Sequence, residues 1–209
     1  MEHVFVHLAS HSGLPKLNRV LLAPFYLHAR LVERIHALGV AAASGRSARI
    51  VAKMNALTDE KLIHALIHAG QRGAKIDLIV RGACMLPAQV PGLTDNIHVR
   101  SVIGRFLEHS RVFYFGCDDV EELFLSSADW MNRYMMRRVE LAWPVTDPEQ
   151  RQRIIDEDLV AYLHDGVDAW DLLPDGTYAR VKRNGYRTAH SAQAALMVRY
   201  GGHDEAEGD

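Results

Sequence analysis

Hydrophobic residues recur in this chain in short runs separated by stretches of helical spacing, and that alternation predicts the first half of the fold. Val20 to Ala23 is an apolar run closed by Pro24, a short strand, and Leu27 to Leu38 then carries apolar residues at helical spacing. After a turn at Gly45 to Ser47, Arg49 to Met54 predicts a second strand. Within Asp59 to His68, Leu62, Ile63, Leu66 and Ile67 fall on one helical face, and Gly70 and Gly73 end the helix. Lys75 to Val80 predicts a third strand. Strand and helix alternating in this way argue for an α/β sheet with parallel neighbours.

Beyond Arg81 the rhythm changes. Pro87, Pro91 and Gly92 mark a long loop, and short strands follow at Ile97 to Val102, Arg111 to Phe115, Glu122 to Leu125 and Val139 to Pro144, with Asp118 and Asp119 at a tight connection. Links too short for helices predict antiparallel or mixed pairing here. Asp147 to His164 reads as a closing helix, capped by Asp147 with Pro148 in its first turn. Tyr178 to Arg183 and Ala189 to Tyr200 predict one more strand and a last helix. At the other end, Glu2 to Leu14 reads as a short helix. The expected division is a leading helix and linker over 1–19, an α/β domain over 20–200 and a disordered acidic tail over 201–209.

Composition changes this picture little. With 209 residues, 48% hydrophobic and 24% charged, the chain can bury a core without disulfides or structural metal. Cys84 and Cys117 fit no ligand spacing, no secretory signal opens the chain, and no apolar run is long enough to span a bilayer, so the cytoplasm is the expected location. A formal charge of −2 argues against nonspecific nucleic-acid binding, and any affinity for a polyanion must come from local arginines and lysines.

Such groups follow the predicted strands directly. Lys53 and Asn55 end the second strand, Arg81 comes straight after Val80, and Ser126, Ser127 and Asp129 come straight after Leu125. Ligands of open α/β sheets bind beyond the carboxyl ends of strands, so these residues together predict a shared anion site. His109 stands two positions before Arg111, which on a strand places both side chains on one face. Imidazole can serve as nucleophile or proton donor, guanidinium neutralises oxyanions, and hydroxyls hold phosphate oxygens. His109 opens its strand, however, and joins the other groups only if that strand runs antiparallel to theirs. Arg138 and Glu140 flank Val139 in a strand pattern, with one parity directed at the same place. His64 and His68, four apart on a helix, have no third metal ligand and read as solvent-facing.

The runs Lys53-Met54-Asn55-Ala56-Leu57, Ile79-Val80-Arg81-Gly82-Ala83-Cys84, Gly104-Arg105-Phe106-Leu107-Glu108-His109-Ser110-Arg111, Ser126-Ser127-Ala128-Asp129-Trp130-Met131 and Arg137-Arg138-Val139-Glu140 resemble, in order and spacing, successive motifs of bacterial polyphosphate kinases. The resemblance covers nearly the whole chain but only the last quarter to third of such an enzyme. It implies a phospholipase-D-like mixed sheet flanked by helices, reversible transfer of the terminal phosphate of ATP to polyphosphate through a phosphohistidine, and a requirement for Mg²⁺. The partners it implies are ATP or ADP and inorganic polyphosphate, with a homo-oligomer and peripheral membrane association in the full-length enzyme.

By motif, the resemblance makes Arg81 a nucleotide-phosphate ligand, His109 the second catalytic histidine and Glu140 a catalytic positioning group. Asp129 is implied to support the histidine. Lys53, Asn55, Arg111, Ser126 and Ser127 complete the expected phosphate site, with no metal ligand among them. The phosphorylated histidine, the magnesium-binding arginines and an adenine-stacking tyrosine are expected upstream of residue 1, which leaves the isolated chain without ATP-dependent synthesis. Tyr134-Met135-Met136 departs from the family's more polar run. Two other classes stay open: a phospholipase-D-type phosphodiesterase pairing two copies of His109, with Arg111 in the lysine place, and a noncatalytic polyphosphate- or nucleotide-binding remnant.

Overall fold

The computed structural model describes residues 20–181 and 190–201. The leading helix expected over residues 2–14, the ends of the last strand and helix near 183 and 189, and the tail from 202 onward lie outside the described residues.

Among the described residues nine strands form one mixed sheet: β1 (Leu21–Ala23), β2 (Ala48–Met54), β3 (Lys75–Val80), β4 (Ile97–Val102), β5 (Val112–Cys117), β6 (Val120–Ser126), β7 (Glu140–Pro144), β8 (Ala169–Leu172) and β9 (Tyr178–Arg180). Their order across the sheet is β1-β7-β6-β5-β2-β3-β4-β8-β9. β2, β3 and β4 are parallel, and β5 enters beside β2 antiparallel, with Lys53 opposite Val112. β6 is antiparallel to β5 and β7 to β6.

Strand parity sorts the side chains into two cores. Ile50, Ala52 and Met54 of β2, with Leu78, Val80 and Phe113, pack beneath α1 (Leu27–Ala43) and α2 (Glu60–Gln71). Val51, Ile79, Val102, Val112 and Leu123 face the other way, onto Leu159 and Tyr162. The predicted helical stripe on α2 is the buried one, Leu62, Ile63 and Leu66, and Asp59 caps it by accepting from Leu62 N at 3.0 Å.

The closing helix starts as expected, with Asp147 accepting from Gln150 N at 2.8 Å and Pro148 in the first turn. It is not uniform: α4 (Pro148–Ile154) widens into a π-helical segment, Ile155–Val160, before α5 (Ala161–Leu163). Single π turns of this kind recur at functional sites. Three elements differ from expectation. β4 lies parallel to β3, reached by a helix-free crossover over residues 81–96, and β8 and the short α3 (Asn132–Arg137) carry patterns too brief to stand out in sequence. The last helix is α6 (Ala192–Gly201).

Candidate active site

Topology brings one end of the sheet together. β2, β3, β4 and β6 all finish there, whereas β5 and β7, running the other way, begin there. The strand of His109 is therefore antiparallel to β2, and the residues before Val112 arrive beside those after Met54. Past the strand ends the loops knit directly: Leu57 bridges both Cys84 and Trp130, Trp130 N donates to Ala56 O at 3.1 Å, and Leu57 N donates to Ala83 O at 2.9 Å. Gly82 N donates to Asn55 O at 2.8 Å, and a Cβ at Gly82 would lie 2.9 Å from that oxygen, so only glycine permits this approach.

A continuous hydrogen-bonded relay runs through this knot. Arg81 Nε donates to Asn55 Oδ1 at 2.9 Å, and Asp129 Oδ1 accepts from Asn55 N at 2.7 Å and from Asn55 Nδ2 at 3.2 Å. Arg111 grips Asp129 with two donors, Nε to Oδ1 at 2.9 Å and Nη2 to Oδ2 at 3.1 Å. The same Nη2 lies 3.2 Å from His109 Nε2, and Nη1 donates to His109 O at 3.1 Å. Guanidinium only donates, so Nε2 accepts and the neutral ring carries its proton on Nδ1. Burial alone would raise the Asp129 carboxyl, but Arg111 and Asn55 outweigh it and hold the group below the ordinary carboxylate range. Asp129, Asn55 and Arg111 are buried, while the His109 ring is exposed and Arg81 half-buried. Buried groups thus support two accessible ones.

Ser126 has a backbone role, its hydroxyl donating to Leu141 O at 2.9 Å and accepting from Ala128 N at 3.0 Å. Ser127 Oγ donates to Glu140 Oε2 and accepts from Leu141 N at 3.0 Å, and Arg138 Nε stands 3.2 Å from Glu140 Oε1. Glu140 opens β7 and is buried, its carboxylate shared by Ser127 and Arg138.

Two expectations need correction. Lys53 does not open into a common cavity with Arg81 and His109. It points to the second face, where its ammonium lies 2.9 Å from Glu108 Oε2, 3.1 Å from Asp158 Oδ1 and 3.3 Å from the centre of the Tyr162 ring. The space it shares with Arg81, Glu108 and Ser110 is about 10 Å³, about one water's worth and too small for a phosphate. Two carboxylates drew the lysine inward. Likewise His109 and Arg111 precede the strand proper, which starts at Val112, and Arg111 is bound to Asp129 instead of standing free for an anion. A larger cleft of about 470 Å³ lies toward the amino-terminal ends of β2 and β4, where Arg49 pairs with Asp77 and Arg100 with Asp171. None of the expected site residues lines it.

Sequence reasoning missed the Glu108, Asp158 and Tyr162 cluster around Lys53. Glu108 lay inside the run from Gly104 to Arg111, a carboxylate directly beside His109, and that was the available signal. Among the described residues no group of three or more acids, histidines or cysteines is arranged to hold a metal ion, and Glu108, Asp129, Asp158 and Glu140 each already accept from protein donors. These side chains do not fit a divalent cation. Cys84 and Cys117 are unpaired, and among the described residues no helix is long and apolar enough to cross a membrane.

The family model for "Polyphosphate kinase C-terminal domain 2" matches residues 20–193. Polyphosphate kinase from Burkholderia ambifaria is 46% identical over 200 residues, 96% of this chain and 29% of that protein. The Paraburkholderia phytofirmans polyphosphate kinase is 47% identical over the same shares. The crystal structure of polyphosphate kinase from Porphyromonas gingivalis superposes with a TM-score of 0.87 at 33% identity, covering 96% of this chain and 31% of that one. The chain spans less than a third of each of these relatives.

Proposed function

This chain belongs to the polyphosphate kinase C-terminal domain family, and from that premise we propose that it supplies one wall of an ATP–polyphosphate phosphotransferase site, with Arg81 and His109 as the groups that meet phosphate. The relay from Arg81 through Asn55, Asp129 and Arg111 to His109 carries the proposal. It fixes an exposed imidazole and a guanidinium with no acidic partner among the described residues at one end of the sheet.

The chemistry follows from donors and acceptors. Phosphoryl transfer asks the protein mainly for alignment and for neutralisation of non-bridging oxygens. Arg81 spends Nε on Asn55, which turns the guanidinium and leaves its terminal nitrogens for phosphate oxygens. His109, with Nε2 accepting from Arg111, offers Nδ1–H as a hydrogen-bond donor to a phosphate oxygen. Asp129 and Asn55 position these two groups without touching substrate. Glu140 keeps Ser127 and Arg138 in place at the neighbouring strand start.

The phosphoryl-accepting histidine belongs, in this reading, to another part of the full-length protein, as do the residues for Mg²⁺. The chain alone is then expected to bind nucleotide and polyphosphate without turnover in the cytoplasm. A homo-oligomeric full-length enzyme completes the reading. The hydrolase alternative is disfavoured because Arg111, which stands in its lysine place, is committed to Asp129.

Calorimetry of the purified chain with tripolyphosphate and with ADP tests the reading. Arg81→Ala removes a charge-assisted contact of about 2 kcal/mol, a loss of roughly thirtyfold in affinity, with folding unchanged. Absence of binding by the wild type, or affinity indifferent to both Arg81→Ala and His109→Ala, refutes it.

A further inference from the structure

His109 sits at the end of a loop, 103–110, that crosses from β4 to β5, and this loop is held from the far side by the carboxy-terminal helix. The Gln193 carboxamide makes a two-way pairing with one backbone residue of the loop: Phe106 N donates to Oε1 at 2.8 Å, and Nε2 donates to Phe106 O at 2.8 Å. Its amide nitrogen also lies 3.3 Å from Glu108 Oε1. Gln193 is 5% exposed, and a Cβ at Gly104 would lie 2.4 Å from its Oε1, so the loop closes on the carboxamide with no slack.

The root of α6 is fixed in turn. Asp165, 1% exposed, accepts from Ala192 N at 2.8 Å, from Val167 N at 2.9 Å and from Asp168 N at 2.7 Å. Ser191 Oγ donates to Asp168 Oδ2 at 3.0 Å. On the loop's inner side, Glu108 is gripped by Lys53 and Tyr162, and Ser110 Oγ donates to Asp158 Oδ1 at 3.0 Å. The residues on both sides of His109 are therefore tied down, and the imidazole between them is exposed.

We propose that Gln193 is a positioning residue for His109: it acts as a surrogate strand against Phe106, setting the loop so that the ring meets Arg111 Nη2 and keeps one tautomer. The proposal rests on the phosphate reading only for the use to which His109 is put. A carboxamide suits the task because it presents an acceptor and two donors in one plane, so it can serve Phe106 N, Phe106 O and the Glu108 carboxylate together. A carboxylate of the same shape has no donor for Phe106 O and would face the charge of Glu108.

The test uses the ligand-free chain and reads the His109 ring nitrogens by ¹⁵N NMR in the wild type, Gln193→Glu and Gln193→Ala, alongside thermal unfolding and tripolyphosphate titration. The wild type should show a single Nδ1–H tautomer. Both variants should show a mixed tautomer signature while remaining folded, with tripolyphosphate affinity reduced about tenfold. If both variants fail to fold, Gly104→Ala, whose Cβ would lie 2.4 Å from Gln193 Oε1, forces the same contact apart from the loop's side and should produce the same mixed signature. An unchanged His109 signature in any folded variant overturns the proposal, because the ring would then be set without Gln193. If the wild type does not bind tripolyphosphate, the phosphate reading falls, yet the tautomer comparison still decides whether Gln193 positions the ring.

Discussion

Asp129→Ala is the most informative single substitution. In the wild type its carboxylate takes two donors from Arg111 and two from Asn55, and the Arg111 and Asp129 side chains are only 8% and 5% exposed. Truncation leaves a guanidinium nearly out of water with its counter-ion gone. Removing one partner of a buried pair costs roughly 3–5 kcal/mol, a large part of the ~5–15 kcal/mol that holds a domain together. With a urea dependence of about 2 kcal/mol per molar, the unfolding midpoint should drop by roughly 1.5–2.5 M.

Asp129→Asn retains an acceptor for Asn55 N but sets an amide donor against an Arg111 donor, and should cost about 2–3 kcal/mol. The double replacement Arg111→Met with Asp129→Leu leaves no stranded charge and should cost much less than the two single truncations added together. Urea titrations at pH 7 followed by far-UV circular dichroism give all three values. A shift below about 0.5 M for Asp129→Ala, or strict additivity in the double variant, would falsify the claim that this pair is buried and mutually dependent.

Other outcomes follow from the same contacts. Lys53→Met should destabilise the chain by about 3 kcal/mol or more, since Glu108 and Asp158 lose their shared cation; a well-folded variant that merely loses tripolyphosphate affinity would restore Lys53 as a phosphate ligand. Tyr162→Phe keeps the ring under the ammonium but deletes the phenol donor to Glu108, for about 1–2 kcal/mol, and Tyr162→Leu should lose a further ~1 kcal/mol of cation–π attraction, measurable as two successive steps in thermal stability. Burial would raise Glu108 and Asp129, but Lys53 and Tyr162 on one side and Arg111 and Asn55 on the other bring both below their ordinary values. Groups depressed on folding stabilise the fold above their unfolded pKa, about 4, and that contribution disappears as pH falls through the lower folded values. Unfolding midpoints should therefore hold from pH 7 to about 4.5 and fall steeply below 4, and Glu108→Gln should flatten the acid limb; a limb unaffected by the substitution refutes this assignment.

How much of this could be read from residues alone depended on how local each signal was. The stripe of Leu62, Ile63 and Leu66 and the capping Asp147 are written within one or two turns, and both elements form as the pattern requires. β8 was invisible because its four residues include a charge, Asp171, whose partner Arg100 lies on the neighbouring strand. Nothing local marks the π-helical turn that swings Asp158 toward Lys53. The same holds at the site. Residues that follow strands, such as Arg81, Asn55 and Asp129, could be grouped because strand ends share an edge. The fate of Lys53 turned on strand parity and on carboxylates 55 and 105 positions away in sequence. Short-range pattern locates cationic groups but does not say which of them tertiary acids will neutralise.

The buried pair explains why the site is built on the sheet. An ion pair out of water contributes little net stability compared with apolar side chains of similar volume, so Arg111 and Asp129 are poorly accounted for as a device for holding the fold. Their geometry accounts for them better. β5 is inserted antiparallel between β2 and β6, which brings the segment before it against the loops that leave its neighbours. Arg111, immediately before that strand, reaches Asp129 with one edge of its guanidinium and the His109 ring with the other, so the orientation of an exposed imidazole is tied to backbone positions just past the ends of β2 and β6. Flexible loops could bring the same residues together, but only transiently. An apolar Met–Leu replacement of the pair would on this argument cost far less stability than breaking it from one side, and its His109 ring would lose the guanidinium that orients it.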